Sequence, residues 1–250
     1  MKTLKMQRPD GTLITTWEEW TRPKREYQWK AGRSAMELAK AWFRNGILSP
    51  PSELLSLLES HDRLKGIQFT DGIPELVTPL PERGEGRNHD LALRGHTDSE
   101  SVTVCIEAKA DEPFGTDTIS DYLNKANKKR EKGISTRVPE RIESLLSIVD
   151  PDTTISDSKW HNIKYQLLTA ICGTIIQAKI DGSTLAVLII HEFKGSAMCD
   201  DKQAENHTNF EDFMSVLEGV PVQVESGRMY GMFNIGGMDC LIGKVVMTIY

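Results

Sequence analysis

The chain has 250 residues, a formal net charge of −6, 39% hydrophobic residues and 26% charged residues. This length allows one sizeable core, and the composition is that of an ordinary globular protein, so disordered, collagen-like and fibrous readings drop out. The acidic balance argues against a protein that coats nucleic acid with its whole surface, yet it leaves room for a local basic patch.

Residues 1–32 are rich in Trp, Arg and Lys with weak periodicity, and they read as an arm packed on a single domain over 33–250. No chemistry is expected of the arm. No apolar h-region opens the chain, and the longest apolar run, Leu185 to Ile190, falls well short of the roughly 20 residues of a membrane helix. A cytoplasmic protein without a membrane partner is expected.

Ser34-Ala-Met-Glu37 has the form of a capping box and predicts a helix over 34–44; Pro50-Pro51-Ser52 opens a second one that ends near Ser60. From Gly66 the texture turns to strands. IPELVTPL, HDLALRG and SVTVCIEAKA are separated by the turn-forming clusters PERGEGRN and HTDSE, which predicts an antiparallel meander. GEGR at Gly84 to Arg87 lacks the third glycine of a dinucleotide loop and reads as a turn. Two helical stretches follow between 116 and 149. The first carries Lys125, Lys128, Lys129, Arg130 and Lys132, which form either a solvated face or a phosphate-contacting patch. A long helix is predicted over 160–180, then a strand buried on both faces in STLAVLIIHEF. Beyond Asn209 come a helix and two or three strands. The whole is an α/β or α+β domain with a central mixed sheet flanked by helices. Cys105, Cys172, Cys199 and Cys240 form no CxxC pair and read as buried free thiols.

Alternation along VTVCIEAKADEPFG points Val102, Val104, Ile106 and Ala108 one way and Thr103, Cys105, Glu107, Lys109 and Asp111 the other. Counting outward from a turn near residue 98 or 99 brings Asp90 opposite Glu107. Two carboxylates and one lysine then meet at one end of the sheet. Carboxylate oxygens suit a hard cation such as Mg²⁺ or Mn²⁺, and a lysine beside them can hold water or neutralise charge on a phosphoryl group. Asp111, on the same face, is a candidate for a further ligand or a plain solvated terminus.

Asp90 and the triplet Glu107-Ala108-Lys109, 17 positions further on, resemble the signature of the PD-(D/E)XK nuclease superfamily, with His89 where that signature has proline. NHDLALRG, IEAKADEPFG and YQLLTAI are similar to a bacterial branch of it, over roughly residues 34–195. The resemblance implies a restriction-endonuclease-like core in the order helix, three strands, helix, strand, with the last helix and strands added. It implies that Asp90 and Glu107 bind Mg²⁺ or Mn²⁺, with the Ala108 backbone carbonyl as a third ligand. Lys109 would position or activate water, and Gln166 would join the catalytic group from the following helix. Glu37, or less well Glu53, would supply a further carboxylate, although Glu37 competes as the capping-box partner. The implied activity is phosphodiester hydrolysis without a covalent intermediate, on nucleic acid, DNA ahead of RNA, with a homodimer left open. The alternative is a non-catalytic nucleic-acid- or protein-binding module on the same fold.

Overall fold

In the computed structural model, residues 3–195 and 198–249 are described. The first two helices form over Ser34–Trp42 (α1) and Ser52–Glu59 (α2). The capping box does not form: the residue before α1 is Arg33, and the Glu37 carboxylate turns back to accept from Gly32 N–H at 2.8 Å. Ser34 N–H instead donates to Glu112 at 3.1 Å, because Glu112 reaches the helix start from the turn after Glu107-Ala108-Lys109.

The three central strands are Gln68–Thr78 (β2), Arg87–His96 (β3) and Ser101–Lys109 (β4), preceded by a two-residue edge strand in the arm, Lys5–Met6 (β1). β2, β3 and β4 form the antiparallel meander read from the turn signals. Helices Ile119–Glu131 (α3), Val138–Val149 (α4) and Tyr165–Asp181 (α5) follow. α5 starts five residues later than its periodicity suggests, since Ser158–Trp160 form a 3₁₀ turn and Trp160 and Ile163 are buried ahead of the helix. Strand Leu185–Lys194 (β5) then runs parallel to β4. Helix Asp200–Glu218 (α6) begins nine residues before Asn209, and strands Arg228–Ile235 (β6) and Met238–Thr248 (β7) complete a seven-stranded mixed sheet of order β1-β2-β3-β4-β5-β7-β6. This is an α+β architecture. No helix among the described residues is long and apolar enough to cross a membrane.

The period of two sorts β4 between two cores. Val102, Val104, Ile106 and Ala108 pack with Leu38, Trp42, Leu54 and Leu57 of α1 and α2. The opposite sheet face packs Ile142 and Leu145 of α4, Leu168, Ile171 and Ile175 of α5, and Phe210 and Phe213 of α6. Sequence alternation therefore identifies which face of β4 meets which layer. Cys105, Cys172 and Cys240 are buried free thiols as expected, whereas Cys199 is exposed.

His191 on β5 shows what full enclosure does to a polar side chain. Its ring stacks on Phe193 at 4.4 Å, both ring nitrogens lack a partner, and burial holds its pKa down at about 4, with Arg44 assisting and Glu53 opposing. The neutral form is the one that folds. His191 therefore contributes its full share of stability above the unfolded value near 6.5 and loses it as pH falls from 6.5 towards 4. Urea unfolding at pH 7 and pH 4.5 should show wild type losing roughly 2–3 kcal/mol more than His191→Leu over that interval. Parallel pH profiles for the two proteins would contradict this.

Candidate active site

β3 and β4 keep the register in which Asp90 is opposite Glu107, but their ladder ends at the neighbouring pair Leu91↔Ile106. The facing of β3 also switches there. Leu91 and Leu93 belong to the α1 side, while Arg87 and His89, which share their parity, lie against Gly173 of α5. At this irregularity the Asp90 side chain takes over a ladder bond, its Oδ2 accepting from Ala108 N–H at 2.7 Å.

Glu107 is the hub of the group and is only 1% exposed. Lys109 Nζ and the Arg87 guanidinium both pair with it, and Gln166 Nε2 donates to its Oε1 at 2.7 Å. Lys109 Nζ also donates to the Ala108 carbonyl at 3.3 Å and lies 5.2 Å from the centre of the Phe114 ring. The structure thus brings Asp90, Glu107, Ala108, Lys109 and Gln166 together. Arg87 is the member that sequence reading misses, because it stands in GEGR at the end of a turn cluster.

Glu75 is the second. It falls between the pairs Pro74↔Leu91 and Leu76↔His89, hence across β2 and β3 from Asp90. Its backbone φ is 55°, a strained conformation for a non-glycine residue within a strand. Asn88 Nδ2 donates to its carboxylate.

Burial dominates the electrostatics. It holds the Glu75 carboxyl up at about 8, with the charge of Asp90 as the second cause, and it raises Asp90 against the opposing pull of Lys109, the Ala108 N–H and Arg87. Burial likewise lowers Lys109 and Arg87. Neighbouring desolvated carboxylates that favour protonation are the surroundings in which an added cation is most stabilising.

Three other candidates are placed elsewhere. Glu37 is buried, bonded to Gly32 and paired with Lys40 at 3.3 Å, and nothing joins it to Asp90 or Glu107. Its carboxylate is committed to the turn before α1. Glu53 pairs with Arg44 at 3.3 Å. Asp111 accepts from Cys199 N–H at 3.1 Å and pairs with Lys202, both at the start of α6. His89 faces α5. Thr78 Oγ1 donates to Gln177 at 2.6 Å, so His89 Nε2, 3.0 Å away, is the donor to Thr78, and burial depresses the ring to about 3.

A cleft of about 670 Å³ opens onto Glu75, Arg87, Asp90, Glu107 and Gln166. Lys109, 4% exposed, lies behind Glu107. Among the described residues no group of three His, Cys, Asp or Glu side chains is gathered closely enough to hold a metal ion alone. The donor chemistry nevertheless fits Mg²⁺ or Mn²⁺, which take carboxylate and carbonyl oxygens and keep several waters. Gln166 Oε1 is buried without a partner beside the Glu107 it holds, so an acceptor stands available for such a water.

Packing against α5 sets the position of Arg87. A Cβ at Gly173 would lie 2.6 Å from Arg87 Cγ, 2.9 Å from Arg87 Cβ and 3.1 Å from His89 Cε1. Gly173→Ala should gain about 1 kcal/mol of helix propensity and lose about 1–3 kcal/mol to overpacking. A net loss in urea-derived stability is expected, and a more stable variant would contradict this close approach.

The fold and the site define an α+β protein with carboxylates and cations clustered at one end of a central mixed sheet. The chain belongs to a family described as a domain of unknown function, DUF6946, whose profile matches residues 12–248. No curated protein and no solved structure matches it.

Proposed function

We propose that the protein is a metal-dependent phosphodiesterase that hydrolyses nucleic acid, built on a restriction-endonuclease-like core of the PD-(D/E)XK superfamily. The observation that carries this reading is the convergence of Asp90, Glu107, Lys109 and Gln166 where β3 and β4 part. The element order supports it: α1 precedes the β2-β3-β4 meander, and α5 leads into β5 parallel to β4.

Asp90, Glu107 and the Ala108 carbonyl would hold Mg²⁺ or Mn²⁺. A bound ion of this kind polarises a phosphoryl oxygen and acidifies water. Lys109, already donating to Glu107 and the Ala108 carbonyl, orients the water that attacks phosphorus and supplies a positive charge to the developing anion. Gln166 holds Glu107 through its amide nitrogen and leaves Oε1 free to accept a hydrogen bond from that water. Arg87 pairs with Glu107 from the side of α5 and fixes its carboxylate in place.

The test is incubation of duplex and single-stranded DNA and RNA with Mg²⁺, with Mn²⁺ and with EDTA. Wild type should cleave at least one substrate only when metal is present, and Asp90→Asn should not. Absence of cleavage with either metal, or equal cleavage by Asp90→Asn, refutes the proposal.

One observation favours a second reading, a non-catalytic binding module. Glu107 already has two cations and an amide on it, and Lys109 lies behind it, as in a structural ion-pair network. On that reading Mn²⁺ leaves the unfolding temperature unchanged and Asp90→Asn raises it, by relieving repulsion from Glu75.

A further inference from the structure

The cleft over Asp90 and Glu107 continues beyond them. Its lining includes Lys24, Arg25 and Tyr27 of the arm together with Arg83 and Arg141. Lys24 and Glu85 approach to 3.4 Å, and Arg33, directly after the arm, donates to the Asp111 carbonyl at 2.9 Å. The arm, which the sequence left without chemistry, lines the cleft of the site.

At one end the cleft meets two stacked rings, Tyr122 of α3 and Tyr165 at the start of α5, with centroids 4.3 Å apart and planes inclined by 16°. Tyr165 is next to Gln166, which holds Glu107. Tyr122 and Val138 also line a second concavity of about 360 Å³, whose other walls are Lys125, Lys128, Lys129 and Lys132 around Ala126 and Ile134. Lys125 pairs with Asp117 and Arg130 with Glu140. Lys128, Lys129 and Lys132 enter no ion pair among the described residues, and Ile134 beside them is 52% exposed.

We infer that this continuous surface is a track for a single polynucleotide strand, entering along the lysine face of α3, stacking a base on the Tyr122–Tyr165 pair and passing along the arm residues Lys24, Arg25 and Tyr27 to Asp90 and Glu107. The inference rests on the proposed hydrolysis for what happens at the far end, and not for the binding itself. A groove of cations interleaved with aromatic rings is what an unpaired strand requires, since every unpaired base has a face to stack and every phosphate a charge to neutralise. A duplex has neither free base faces nor room here. A cleft of about 670 Å³ is in the range, about 300–1,000 Å³, of sites that hold one small ligand, so it admits a nucleotide or two of one strand. Last-turn lysines also favour a helix C-terminus, but that role needs no aromatic platform and no exposed apolar floor.

The test is fluorescence anisotropy in EDTA with a 15-mer of thymidine, a 15-mer of uridine and a duplex of the same length. Wild type should bind at least one strand about tenfold or more tighter than the duplex, and the tighter strand identifies the sugar. Tyr122→Ala should weaken strand binding about tenfold. Replacing Lys128, Lys129 and Lys132 together with alanine should reduce the slope of log affinity against log salt by about 2. Both variants change exposed or half-buried side chains, and their unfolding temperatures are measured alongside. Equal or tighter duplex binding, binding of no probe, or strand binding unchanged in both variants overturns the inference. Because the binding test runs without metal, strand binding here together with no cleavage in Mg²⁺ or Mn²⁺ would refute hydrolysis alone, and metal-dependent cleavage of duplex without strand preference in binding would refute the track alone.

Discussion

Lys109→Ala should lower the metal-dependent cleavage rate by about 10²–10³-fold, the loss that follows removal of one preorganised charge-stabilising donor. The fall should appear in kcat with KM little changed, because on the proposed reading the ammonium acts on the charge that develops during reaction. Burial lowers the Lys109 pKa, while Asp90 and Glu112 raise it, so the ammonium is held among carboxylates in a medium that strengthens each contact. Lys109→Arg should not restore activity. A guanidinium would need space next to Phe114 and Arg87, both already against the site. Initial rates at saturating Mg²⁺ measure this directly; because Lys109 is, like Arg87, a buried partner of Glu107, the unfolding temperature is measured alongside and rates are compared where the variant remains folded. Wild-type kcat in Lys109→Ala would contradict the role.

Arg87→Ala should cost about 3–5 kcal/mol of stability. Arg87 and Glu107 are both buried, and removing the cation leaves a carboxylate in the interior with one charged partner fewer. Desolvation depresses Arg87 itself, so the pair is held by mutual compensation rather than by a favourable setting for either ion. Two outcomes identify the cause. Arg87→Ala with Glu107→Gln should lose less than Arg87→Ala alone, and millimolar Mn²⁺ should recover part of the loss in Arg87→Ala, because a metal ion can take over the neutralisation of Glu107. Urea midpoints with and without Mn²⁺ read both. A single-variant loss below about 1 kcal/mol would mean that the pair behaves as an exposed one.

Much of this site was legible because local rules happened to act together. The two-residue period of β4 placed Glu107 and Lys109 on one face, and the HTDSE turn set the register that aligns Asp90 with Glu107. The i, i+4 stripe of α5 placed Gln166 toward the sheet. Glu75 was overlooked in IPELVTPL: counting outward from the centre of PERGEGRN sets Glu75 opposite Arg94, whereas the observed pairing is centred two residues earlier, and a positive φ has no sequence mark outside glycine or asparagine. Arg87 looked like the end of a turn because a strand's first residue carries no periodic signal. Glu37 shows the reverse error. A capping-box pattern is local, and the tertiary contact from Glu112 to Ser34 N–H displaced it. The arm was read as inert since its Lys24, Arg25 and Tyr27 have no periodic order; only the folded chain brings them to one cleft with Arg83 and Arg141. The late start of α5 has a similar origin, the burial of Trp160 in a 3₁₀ turn.

The central claim is that Asp90 and Glu107 form a divalent-cation site, and anomalous diffraction from crystals soaked in Mn²⁺ tests it most directly. The account predicts a single strong peak about 2.0–2.6 Å from a carboxylate oxygen of each residue, with the Lys109 ammonium displaced from Glu107 by the ion. No peak there at millimolar Mn²⁺, with Lys109 and Arg87 still paired to Glu107, would contradict it.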